Sequence, residues 1–272
     1  MPSDADTGAR RAETGLGRGF RAGRPALVVY LMAGYPDRAT SLASLHAAAA
    51  AGADVIELGV PYGDPVADGP VIAEAAAIAR AEGFGLAETI SLAEEFLGSE
   101  GAGAPPVALM TYLNPLMRFG LPRVADAMRT AGISGVIVPD MPPEAARPWL
   151  AVAEGLDTVF LAAPTSTPSR LEAIGAASSG FVYCVSSTGV TGERASLREG
   201  LAELVDRVRA ATTLPVAVGF GVSTPEQAAE VSSYAEGVVV GSAIVRRQSD
   251  PDEVGEFVTQ LRAALDADVT EA

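Results

Sequence analysis

Short β-branched apolar runs alternate with helix-periodic stretches along almost the whole chain, and this alternation restricts the fold more than any other feature. Runs suited to buried strands fall at 26–32, 54–59, 107–111, 135–139, 157–162, 181–185, 215–218 and 237–240. Helical patterns lie between them at 38–51, 71–80 with 86–97, 121–131, 143–154, 168–177, 196–211, 225–233 and 252–266. Strands that are apolar on both faces belong to parallel sheets covered by helices. Eight such units predict an α/β fold, a single (β/α)8 TIM barrel over residues 26–268. A doubly wound open sheet is the alternative. Against it, the first strand runs into Ala33-Gly34-Tyr35-Pro36, without the G-x-G-x-x-G spacing of a dinucleotide site. Residues 1–25 carry only a faint amphipathic signal, from Leu16 and Phe20, and Gly15, Gly17 and Gly19 weaken any helix there. A loosely ordered N-terminal segment is expected, and the last few residues are expected to fray.

Composition excludes several chemistries. The formal charge of −15 and pI near 4.5 repel nucleic acid and anionic membrane surfaces, which require clustered positive charge. No apolar run is long enough to span a bilayer, and no hydrophobic signal core opens the sequence, so a soluble cytoplasmic protein is expected. The single cysteine, Cys184, cannot form an internal disulfide and fits a reducing compartment. All 19 basic residues are arginine. Without lysine the chain can form no Schiff base, hold no pyridoxal phosphate covalently and build no Walker-type phosphate site. The one histidine, His46, lies in an alanine-rich helical stretch, so neither a histidine-dependent triad nor a multi-histidine metal site can be built. No metal is expected.

The second strand carries the most informative motif. Alternation puts Val55, Glu57 and Gly59 on one face and Ile56 and Leu58 on the other. A carboxylate inside an apolar strand is costly unless something pairs with it or uses it. Glu57 leads into a loop stiffened by Pro61, Pro65 and Pro70 and hinged by Gly59, Gly63 and Gly69, which bears Asp64 and Asp68. Loop acids commonly serve as turn and cap residues. Three of them in one rigid segment at the C-terminal end of a barrel strand point instead to a site.

Glycine turns supply a second signal. Gly219-Phe220-Gly221 follows the seventh strand, and Gly241-Ser242 follows the eighth and opens a short helical turn. Barrels commonly bind phosphate there through backbone N–H groups, so no lysine is needed. Gly189-Val190-Thr191-Gly192, after the sixth strand, is positioned to complete the ring.

The acid loop 57–70 resembles the signature of the tryptophan synthase alpha subunit family, an indole-3-glycerol phosphate lyase family. Met110-Thr111-Tyr112-Leu113-Asn114-Pro115, Pro139-Asp140-Met141-Pro142, Gly189-Val190-Thr191-Gly192, Gly219-Phe220-Gly221 and Gly241-Ser242-Ala243-Ile244-Val245 are similar to family segments in the same order. The resemblance implies retro-aldol cleavage of indole-3-glycerol phosphate to indole and glyceraldehyde 3-phosphate. It assigns general acid–base work to Glu57, stabilisation of positive charge on the indole nitrogen to Asp68, a place beside Glu57 to Tyr183, and the indole pocket to Tyr112. The phosphate would lie against Gly192, Gly221, Gly241 and Ser242, with Thr191 and Phe220 also contacting substrate. A beta subunit, in an α2β2 complex, would dock on Pro61, Asp64, Asn114 and Pro142. Pyridoxal phosphate is expected only in that beta subunit. A glycine-flanked lid near 189–194 is expected to close with Thr191 on Asp68. The sequence departs from the family at Met32, where threonine is more frequent, and at Tyr62-Gly63, where Phe-Ser is common. Alternatives are a stand-alone lyase releasing indole, another phosphosugar barrel, and a catalytically silent allosteric subunit.

Overall fold

The computed structural model describes residues 15–185, 194–219 and 221–267 of the chain. Its sheet has 9 strands, all pairing in parallel. They are β1 (Ala26–Met32), β2 (Val55–Gly59), β3 (Val107–Met110), β4 (Gly135–Ile137), β5 (Asp157–Val159), β6 (Leu161–Ala162), β7 (Val182–Val185), β8 (Val216–Gly219) and β9 (Gly237–Val240). Their order is β5-β4-β3-β2-β1-β9-β8-β7-β6. The two end strands, β5 and β6, are halves of the stretch expected as one strand, 157–162, and only Phe160 separates them. β5 pairs with β4 and β6 with β7, while the Phe160 carbonyl accepts from the Tyr183 N–H at 3.1 Å. The sheet is thereby closed into the expected (β/α)8 barrel.

Helices cover the outside: α1 (Arg38–Ala50), α2 (Pro70–Ala81), α3 (Leu86–Glu100), α4 (Leu113–Phe119), α5 (Leu121–Thr130), α6 (Arg147–Leu150), α7 (Pro168–Ala177), α8 (Arg194–Arg209), α9 (Pro225–Ser232), α10 (Ser242–Val245) and α11 (Pro251–Ala267). Local chemistry sets several starts. Asp37 accepts from the Thr40 N–H, and Thr167 and Thr224 cap α7 and α9, each followed by a proline whose missing N–H costs nothing at that position. Odd and even residues of the strands divide the apolar material. Leu27, Val29, Leu31, Ile56 and Leu58 pack outward against helices. Val28 and Val55 point into the barrel.

One helical expectation needs correction. The pattern at 143–154 yields only the single turn α6, because Pro142, Pro143 and Pro148 cannot donate N–H groups and Gly155 turns away at φ +79°. What remains serves to bury Trp149, whose Nε1–H donates to Thr158 Oγ1 at 2.9 Å. Leu113-Asn114-Pro115 opens α4, since proline is tolerated in a first helical turn.

The described part of the N-terminal segment packs against the barrel. Gly15–Gly19 forms a 3-10 turn that drives the fully buried Leu16 into the floor of the barrel, beside Val28, Val55, Ala108, Ile137 and Val159. The Leu16 N–H donates to Asp157 Oδ2 at 2.7 Å, and the Phe20 ring lies 5.1 Å from that of Phe181. The strands start on small residues to receive this plug. A Cβ on Gly135 would lie 2.9 Å from Leu16 Cδ1, and one on Gly237 2.6 Å from Phe20 Cε1. The rest of the floor is tied to the last helix. Asp54, just before β2, takes Arg262 of α11 at 2.9 Å and Arg24 at 2.6 Å. Residues 1–14 and 268–272 lie outside the described residues.

Leu16→Ala should therefore destabilise the barrel by about 2–5 kcal/mol, the usual cost of emptying a buried leucine site. Urea denaturation checks this. A loss of only a few tenths would mean that the plug carries no packing load.

Candidate active site

The closed sheet leaves Glu57 in an apolar interior. It stands on the inner face of β2, only 2% exposed, with its Cα in register with that of Tyr30 on β1. Its Oε2 has no hydrogen-bond partner among the described residues. Burial, and secondarily the charge of Asp68, push the carboxyl up to about 8. Glu57 is therefore a protonated acid at neutral pH that can still give up its proton.

Asp68 lies in a different environment. It sits on the half-buried loop leading to α2, and its Oδ1 accepts from the Tyr112 hydroxyl at 2.9 Å. The same phenol oxygen accepts the Ala67 N–H at 3.0 Å, so Tyr112 clamps the loop at two successive residues. Burial raises the Asp68 carboxyl, and the hydrogen bond from Tyr112 opposes that rise. Tyr112 is in turn braced by the Tyr62 ring at 5.2 Å, and Asn114 Nδ2 donates to the Tyr62 hydroxyl at 2.9 Å. Tyr112, expected to line the indole pocket, reaches the acid loop and holds Asp68 and Ala67. Its phenol is itself pushed up by burial.

The cavity has a volume of about 670 Å³. Glu57, Asp68, Tyr30 and Tyr183 supply its polar wall, and Ile72, Met110, Ile137 and Leu161 its apolar wall. Tyr183 reaches in from β7, buried, and a Cβ on Gly219 would lie 2.4 Å from its hydroxyl oxygen. Burial and then the Glu57 charge hold its phenol well above the usual range. At the far end stand Gly221, Gly241 and Ser242, joined by Ser223 and Arg246. Gly221 has φ +98°, a conformation that favours glycine. Thr191, Gly192 and Phe220, and most of the expected lid, lie outside the described residues.

Of the expected docking residues, Asp64, Asn114 and Pro142 are exposed and Pro61 is buried. Sequence reasoning missed Tyr30, Met110 and Arg246 as cavity residues. For Tyr30 a signal existed: strict alternation from Val28 through Tyr30 to Met32 turns all three inward. For Arg246 none did, because it projects from a helix only one turn long. Among the described residues, no group of three or more His, Cys, Asp or Glu side chains is placed to hold a metal ion, and no helix is long and apolar enough to cross a membrane.

A proton-bearing acid, a second carboxylate held by a phenol, and a glycine-lined end fit acid–base chemistry on a flat, phosphate-bearing molecule. The similarities to known proteins agree. Residues 19–269 match the family model described as tryptophan synthase alpha chain. The alpha chain of Solibacter usitatus is 48% identical over 92% of this chain and 95% of its own length. That of Streptomyces avermitilis is 45% identical over 89% of this chain and 87% of its own. A solved Mycobacterium tuberculosis tryptophan synthase chain superposes with TM-score 0.85 at 41% identity, covering 93% of this chain and 98% of that one. The Legionella pneumophila alpha subunit gives TM-score 0.85 at 31% identity, over 94% and 98%. This chain belongs to the tryptophan synthase alpha chain family.

Proposed function

We propose that the chain cleaves indole-3-glycerol phosphate to indole and glyceraldehyde 3-phosphate, with Glu57 as the single proton carrier. The observation supporting this reading is a buried carboxyl with a pKa near 8, its Oε2 without a hydrogen-bond partner among the described residues, facing a cavity that also holds Asp68 and a glycine-lined end. Protonated Glu57 gives its proton to ring carbon C3, leaving positive charge delocalised onto the ring nitrogen. Asp68 accepts the indole N–H and stabilises that charge. The Glu57 carboxylate then takes the proton of the adjacent side-chain hydroxyl. The oxygen's electron pair forms the aldehyde carbonyl, the carbon–carbon bond breaks, and its electrons restore the aromatic ring. Glu57 ends protonated, as it began. Tyr183 stands beside it, and Gly192, Gly221, Gly241 and Ser242 take the phosphate, with Thr191 and Phe220 against the substrate. The chain itself needs no cofactor for these steps.

The family implies a beta subunit, and pyridoxal phosphate belongs to that partner. We place its docking surface on the C-terminal face of the barrel, around Asp64, Asn114 and Pro142, in an α2β2 complex in the cytoplasm. A second reading, the stand-alone lyase, draws support from Tyr112, which already holds Asp68 in the isolated chain. Indole release from indole-3-glycerol phosphate, measured with and without a beta subunit, tests both. Absence of indole in either condition would overturn the activity, and full turnover of the chain alone would favour the second reading.

Glu57→Gln keeps the shape but cannot exchange protons, so turnover should fall by about 10²–10⁴-fold with substrate binding nearly retained. More than a tenth of wild-type turnover would contradict the role of Glu57. In the wild type, kcat/KM should decline as pH rises through about 8, because the reaction starts from protonated Glu57. Asp68→Asn should lower turnover and also move that decline to lower pH, since the Asp68 charge helps to hold the Glu57 proton. A pH profile with an unmoved limb would argue against this coupling. Gly221→Asp puts a charged side chain into a positive-φ position at the phosphate end, and should raise KM by more than about tenfold. Steady-state kinetics would show a near-normal KM if the phosphate binds elsewhere.

A further inference from the structure

We propose that the Tyr30 hydroxyl recognises the glycerol chain of the substrate, donating a hydrogen bond to the oxygen of the hydroxyl nearer the phosphate. The inference rests on the indole-3-glycerol phosphate reading of the site. Its basis is the place of β1 in the barrel. β1 pairs with β2 on one side and β9 on the other. Tyr30 is in register with Glu57 across the first pairing. Past the end of β9, a Cβ on Gly241 would lie 3.7 Å from Tyr30 Cβ. Tyr30 thus stands between the acid that works on the ring and the glycines that take the phosphate. A molecule joining those two ends by a three-carbon chain must lay that chain across Tyr30.

The phenol is held rigidly and aimed inward. A Cβ on Gly59 would lie 2.1 Å from the Tyr30 hydroxyl oxygen and 2.6 Å from its Cζ, so only glycine there admits the ring. This places the hydroxyl two residues closer to the barrel mouth than Glu57. Tyr30 is 5% exposed and borders the cavity, so its phenol stands where a bound chain would pass. Burial, with the charges of Asp68 and Glu57, keeps the phenol protonated and therefore a donor.

The substrate offers two chain hydroxyls. The one beside the ring loses its proton during cleavage, and that proton goes to Glu57. The second takes no part in bond breaking and requires a binding partner.

Tyr30→Phe removes only the hydroxyl. The probes are indole-3-glycerol phosphate and its deoxy analogue, indole-3-propyl phosphate, which keeps the ring and phosphate but lacks both hydroxyls. With the beta subunit present, the variant should bind the analogue as the wild type does, while kcat/KM for the substrate falls about tenfold, mostly through KM. Equal losses on both ligands, misfolding included, would show the hydroxyl to be structural and overturn the inference. So would unchanged constants for both. Failure of the wild type to release indole is a separate outcome, and it would remove the functional reading beneath the inference.

Discussion

Closure of the parallel sheet is the constraint on which the rest of this protein depends. β5 and β6 pair with opposite ends of the sheet across the single residue Phe160, so the sheet has no free edge. Backbone polar groups are satisfied within the ring, and the inner face is left to side chains alone. The floor is then filled, by Leu16 and Phe20 packed over the glycines that begin β4 and β9. The mouth stays open as the cavity. One end therefore carries packing and the other carries chemistry, as barrels of this kind divide their work.

Within that interior, burial does the electrostatic work. Two carboxylates of similar intrinsic acidity diverge because their surroundings differ. Glu57 has no partner at Oε2 among the described residues and is buried, which favours its neutral form. Asp68 rests on a loop, with a phenol donating to its charge. The two groups also act on each other, since the Asp68 charge helps to hold the Glu57 proton. The two carboxyl groups are thus distinguished by environment rather than by residue type.

Two tyrosines hold different positions at the site. Tyr112, from the conspicuous Tyr-Leu-Asn-Pro segment, braces Asp68 from behind, while Tyr30, in an unremarked apolar strand, faces the cavity. The difference comes from position along the barrel axis. Tyr112 precedes a helix and lies beyond the last pairing of β3, whereas Tyr30 lies within β1 on the inward parity. Arg246 shows the same limit more sharply, for its reach into the cavity depends on where one turn of α10 points.

The sequence by itself determined the strand–helix alternation, the face of β2 that carries Glu57 and the identity of the acid loop. All of these depend on residues close together in the chain, whose periodicity and turn chemistry are local properties. Only the tertiary structure decided that Leu16 and Phe20 form a plug, that Pro142, Pro143 and Pro148 reduce α6 to one turn around Trp149, and that Tyr112 backs the loop. Each of these depends on space left by distant residues: glycines on β4 and β9 for the plug, Thr158 for Trp149, and Ala67 with Asp68 for Tyr112. Such vacancies arise from packing between elements, and a local pattern does not encode them.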